Sequence, residues 1–81
     1  MLAVEVLSPS PRRKDLLLKR SKYEEVGVAS FWVLDPDKPS FSAFELIRGE
    51  YQSAAEVVGD QSATLDHPFP VEITPAALIT R

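Results

Sequence analysis

The chain has 81 residues, a net charge of −3, 44% hydrophobic and 26% charged side chains, and no cysteine. This composition suits one small globular domain and argues against disorder. It excludes disulfides, thiolate chemistry and a helical membrane span of ~20 apolar residues, and the lack of a charged leader before Leu2 predicts a cytoplasmic rather than a secreted protein.

The first element is Leu2-Ala3-Val4-Glu5-Val6-Leu7, which reads as a strand covered on both faces, because apolar residues fill both alternating registers. Glu5 is the only charge inside it. A carboxylate there is costly unless a cation, a metal or hydrogen bonds compensate it. The bland alternative is a tolerated acid at an edge position.

Ser8-Pro9-Ser10-Pro11 ends the strand. Either serine can cap a helix; Ser10 as cap with Pro11 as first helical residue is the favoured arrangement. The helix then runs to about Val26, and Gly27 stops it. At ~100° per residue, Arg12, Leu16, Lys19, Tyr23 and Val26 fall within one arc of about 80°, the expected sheet-facing side. Lys19 thus points toward the strand that carries Glu5, although a lysine in such a stripe can also snorkel to water. Asp15 fits a first-turn helix acid rather than a reactive group.

Val28 to Leu34 is a second apolar run, ended by Asp35-Pro36-Asp37. Strand, helix and strand in this order predict a βαβ unit with parallel strands. Phe31 and Trp32 read as packing rather than as a base-stacking platform. Residues 40–47 form the next strand, Arg48-Gly49-Glu50 a hairpin connection, and Tyr51 to Val58 the returning strand. Residues 60–70 read as a polar, proline-rich connector. Val71-Glu72-Ile73 reads as a short strand, and Thr74 caps a last helical turn that begins at Pro75. The lone histidine, His67, sits in the proline-punctuated Asp66-His67-Pro68-Phe69-Pro70 and is read as a loop residue. The chain thus divides into 1–36 (β-α-β), 40–58 (hairpin) and 59–81 (tail).

Charge is uneven. Residues 1–26 hold six basic and four acidic side chains, the remainder three and eight. The basic cluster can meet nucleic-acid phosphates or form a solvated helix face with intrahelical pairs.

The ordered set Leu2-Ala3-Val4-Glu5-Val6-Leu7-Ser8-Pro9-Ser10, Asp15, Lys19, Tyr23, Gly27-Val28 and Phe31-Trp32-Val33-Leu34-Asp35-Pro36 resembles the Uma-two family of restriction-endonuclease-type proteins, within the PD-(D/E)xK nuclease superfamily. The resemblance implies an α+β fold with a restriction-endonuclease-like mixed sheet. It also implies a metal-dependent endonuclease that hydrolyses DNA, with DNA as partner. Glu5 corresponds to the acidic metal ligand and the Val6 carbonyl to a further ligand. Lys19 corresponds to the catalytic lysine, because Leu7 stands where the usual motif has lysine. Mg²⁺ or Mn²⁺ is the implied cofactor.

The superfamily's other metal-binding aspartate lies on a strand before the acidic one, and Met1 directly precedes the Glu5 strand. On this reading the chain is a β-α-β-β-β half that lacks the N-terminal helix and hairpin. Three expectations follow: an unpaired edge on the first strand, homo-oligomerisation through it or else marginal stability, and weak or no cleavage by this chain alone. The alternative function is a non-catalytic oligomerisation or partner-binding module.

Overall fold

The computed structural model describes residues 2–7 and 12–79, with side chains from Leu16 to Leu78 in the second stretch. The Ser10 cap, Pro11 and the Asp15 side chain lie outside the described residues. The elements run β1 (Leu2–Val6), α1 (Arg12–Val26), β2 (Ser30–Asp35), β3 (Ser40–Ile47), β4 (Glu50–Val58), β5 (Ala63–Leu65), β6 (Val71–Ile73) and α2 (Pro75–Ile79). This is an α+β fold.

A four-stranded mixed sheet has the order β1-β2-β3-β4. β1 and β2 are parallel with Glu5 opposite Val33, as a βαβ unit requires. β2–β3 and β3–β4 are antiparallel. β5 and β6 form a separate two-stranded ribbon. The ribbon's first strand falls inside the segment read from sequence as connector. It is three residues long with one buried side chain, Leu65, too little for a period-two signal.

The helix ends as its sequence dictates. Gly27 has φ 82°, its N–H reaches the Glu24 carbonyl (3.3 Å), and the Val28 N–H reaches the Tyr23 carbonyl (2.9 Å). These are the two bonds of a Schellman stop, which needs a residue comfortable in the left-handed region. The hairpin turn is tighter than expected. Ile47 pairs with Glu50, so Arg48 and Gly49 alone make the connection, both at positive φ (55° and 81°). A two-residue turn with two positive φ values matches the twist of the flanking strands.

The two faces of the sheet carry two apolar clusters. Toward α1 lie Phe31, Val33 and Tyr51, with Ala3, Leu7, Leu16, Tyr23, Phe44 and Leu46 packed against them. On the other face Trp32, Phe41 and Ala43 meet Leu65 and Ile73 of the ribbon. Phe31 and Trp32 are both buried, consistent with packing roles. A β-bulge makes this two-sided arrangement possible in β4. Ala43 pairs with Ala55 but Phe44 pairs with Ser53, which leaves Ala54 as the extra residue. Tyr51 therefore faces α1 whereas Val57, in the same odd register, packs on the ribbon side.

Two expectations are corrected. β1 is not covered on both faces: Val4 and Val6 are 52% and 59% exposed, because only Leu2 of this strand joins the ribbon-side cluster. Val26, placed by the helical arc on the sheet side, is 66% exposed, because the chain turns away at Gly27.

Candidate active site

Besides Leu16, which packs on the apolar cluster, α1 meets the sheet through two i, i+4 pairs aimed at opposite borders of it. Residues four apart on a helix stack on one face. Arg20 and Glu24 engage β4. The Tyr51 N–H donates to Glu24 Oε2 (2.7 Å), and Arg20 Nη2 donates to the Tyr51 carbonyl (3.4 Å). The Arg20 guanidinium also lies over the Phe44 ring, 4.8 Å from its centroid. Together the two side chains take the place of a neighbouring strand for Tyr51's backbone. The buried Tyr51 hydroxyl donates to the Val28 carbonyl (2.7 Å), tying the helix exit to the same strand.

The second pair, Lys19 and Tyr23, engages β1. Lys19 Nζ lies 2.9 Å from Glu5 Oε1, and the Tyr23 hydroxyl donates to Glu5 Oε2 at 2.6 Å. The Tyr23 ring packs on Phe31 with centroids 5.5 Å apart, which fixes the direction of its hydroxyl. The Glu5 side chain is 16% exposed and that of Lys19 54%. The structure thus brings Glu5 and Lys19 together, as the helix-face geometry leads one to expect, and adds Tyr23 as a third member.

The cluster holds Glu5 ionised. The Tyr23 hydrogen bond is the largest influence and lowers the Glu5 pKa from its ordinary value; partial burial opposes it, and the Lys19 bond and charge assist. The same bond raises the Tyr23 pKa, because the phenol proton is held against a carboxylate. Tyr23's role was only half legible: its place four residues after Lys19 puts it on the right face, but no residue pattern aims its hydroxyl at Glu5.

The Leu7 N–H donates to the Leu34 carbonyl. In a parallel ladder alternate residues direct both backbone groups to the same side, so the N–H and C=O of Val6 point to the outer edge of β1. Among the described residues no strand pairs with that edge. His67 is exposed, in a bend before β6, and joins no site with Glu5.

A family profile described as "Uma2: Putative restriction endonuclease" matches residues 1–79. The chain belongs to the Uma2 family. Comparison with curated proteins gives no match. Uma2 membership supports a nuclease-like function at the level of the family, suggests the use of a divalent metal, and makes DNA a candidate partner. Among the described residues no helix is long and apolar enough to cross a membrane.

The cluster, taken as it stands, does not fit a divalent cation. Among the described residues no three His, Cys, Asp or Glu side chains converge. Glu5 supplies one carboxylate, each of its oxygens already accepts a side-chain bond, and an ammonium lies where a cation would approach. Hard divalent ions require about six oxygen ligands, with water and substrate completing any set the protein leaves short.

Proposed function

We propose that this Uma2 chain carries residues of a divalent-metal-dependent endonuclease site for DNA phosphodiester bonds, within a single nuclease-like domain. The observation that supports this most is the Lys19–Glu5 contact at 2.9 Å, made between a strand and the helix that follows it. In this reading Glu5 and the Val6 carbonyl would be oxygen ligands of an Mg²⁺ or Mn²⁺ site once Lys19 leaves Glu5 Oε1, with the other ligands supplied from beyond the described residues.

The chain's own groups divide the remaining work. Tyr23 fixes the Glu5 carboxylate and keeps it ionised. Lys19, whose side chain is 54% exposed, sets an ammonium beside Glu5, where this reading puts the phosphate. An ammonium in that position stabilises charge that develops on phosphate oxygens. Among the described residues the site has one carboxylate, so the expected DNA cleavage by this chain is weak or absent.

Calorimetric titration with Mn²⁺ tests the reading. A binding heat that disappears in Glu5→Ala supports it, and an identical trace for both proteins removes Glu5 as a ligand. Robust Mg²⁺-dependent cleavage abolished by Glu5→Ala would overturn the expectation of weak cleavage while upholding the nuclease assignment.

A second reading rests on β1. Its outer edge is unpaired among the described residues, and Val4 and Val6 are half exposed beside it. Such an edge templates strand addition. Under this reading the chain is an oligomerisation or partner-binding module, with a second copy as the natural occupant. It predicts concentration-dependent self-association that Glu5→Ala does not disturb.

A further inference from the structure

The sheet face that carries Glu5 continues beyond the area covered by α1. Strand pairing lines up Glu5, Val33, Ser42 and Glu56 in one row across all four strands. Directly paired residues point to the same face, so Ser42 and Glu56 lie on the Glu5 side. The next row holds Asp35, Ser40 and Val58. The α1 side chains pack on Phe31, Phe44 and Tyr51, which belong to rows nearer the hairpin turn. At the other end of β3 and β4 no α1 side chain among the described residues packs on the face. A cavity of about 470 Å³ lies there, at the β4 edge, lined by Lys38, Ser40, Ser42, Glu56, Val57, Val58 and Gln61.

The lining is rich in donors. Lys38 brings an ammonium, and Ser40 and Ser42 bring two hydroxyls. The Gln61 carbonyl oxygen accepts the Val58 N–H (3.3 Å), which leaves the amide NH₂ as a donor. Glu56 is the one carboxylate among them. Two interstrand spacings separate Glu5 from Ser42, about 10 Å. A separation of this order is within the reach of neighbouring phosphates along one strand.

We propose that this cavity is a backbone-phosphate subsite: it holds a phosphate of the same DNA strand whose reacting phosphodiester lies at Glu5. The inference rests on the nuclease reading and adds a binding locus to it. Lys38 supplies the charge, the serine hydroxyls and the Gln61 amide supply direction, and Glu56 weakens the site by repulsion.

Fluorescence anisotropy with a labelled 16-bp duplex, in EDTA and at 50 to 200 mM KCl, tests it on the full 81-residue chain. Each phosphate contact adds about 0.9 to the slope of log K against log[salt]. Lys38→Ala therefore lowers affinity and makes the loss between 50 and 200 mM salt roughly threefold smaller. Glu56→Gln tightens binding, because it removes the repulsion and keeps the shape. An unchanged slope in Lys38→Ala, weaker binding in Glu56→Gln, or no duplex binding by the wild-type chain overturns the subsite. The Glu5-dependent Mn²⁺ heat is independent of it. That heat together with an unchanged slope overturns the subsite alone; loss of both overturns the nuclease reading as well.

Discussion

Replacing Tyr23 by Phe removes one oxygen and leaves the ring on Phe31, so it isolates the 2.6 Å bond to Glu5. A hydrogen bond to a charged group contributes about 1.5–3 kcal/mol, and the partial exposure of Glu5 places this one near the lower end, about 1.5 kcal/mol. Lys19 is more than half exposed, so its ion pair is worth at most about 0.5 kcal/mol after solvent screening. Tyr23→Phe is therefore more destabilising than Lys19→Met, although Lys19 carries the formal charge. For a chain of this length, 1.5 kcal/mol corresponds to a fall in Tm of about 6–12 °C.

The pH dependence separates this bond from simple loss of packing. The folded Glu5 pKa is depressed, chiefly by the Tyr23 bond. Its contribution is thus fully present above the ordinary glutamate value of about 4.3 and is lost as pH falls through the folded value. Tyr23 has the opposite sign. Its folded pKa is raised, so its contribution holds below the ordinary tyrosine value of about 10 and fades as pH rises above it. Urea melts of the wild type and Tyr23→Phe should differ by the full amount at pH 7 and by much less at pH 3. A difference of the same size at both pH values would refute the argument, because it would place the cost in packing rather than in the charge-assisted bond.

Other perturbations address the rest of the frame. Arg48→Asn should raise stability by about 0.5–1 kcal/mol in thermal melts, because Arg48 sits at φ 55° in the hairpin turn, where asparagine is at ease. Glu24→Ala should cost about 1–2 kcal/mol and speed hydrogen exchange at the Tyr51 amide, which donates to Glu24. Val6→Lys should shift a self-associating sample toward monomer in sedimentation velocity, since a lysine on an open edge opposes strand addition; equal oligomer content in both proteins would move the contact away from β1.

What the sequence reveals follows from where the determinants lie. The helix stop, the parallel βαβ pairing and the hairpin were legible because each rests on neighbouring residues: Gly27 past the last helical turn, apolar runs flanking a helix, and Arg48-Gly49 between two strands. The approach of Lys19 to Glu5 was legible for the same reason, since helical periodicity and one crossover suffice to aim it. Features that depend on the partner strand were not. The Ala54 bulge exists because Tyr51 must reach α1 while Val57 must reach the ribbon, a conflict visible only once β3 is beside β4. The exposure of Val4 and Val6 depends on how far the ribbon extends across the sheet, which apolar patterning within β1 cannot report.

The two pairs on α1 explain why the Glu5 cluster can be ordered although β1 is an edge strand among the described residues. A helix held only by Lys19 and Tyr23 could roll about its axis, because both contacts lie at one border of the sheet. Arg20 and Glu24 hold it from the other border, against backbone groups of Tyr51 that cannot change rotamer. Rotation that would lift Tyr23 from Glu5 must also strain the Glu24–Tyr51 bond. Glu24→Ala should therefore raise the Glu5 pKa, measured by carboxyl NMR titration, though the two side chains share no contact. A Glu5 titration unmoved by Glu24→Ala would show that Phe31 packing alone positions the tyrosine, and the far pair would then serve stability without serving the site.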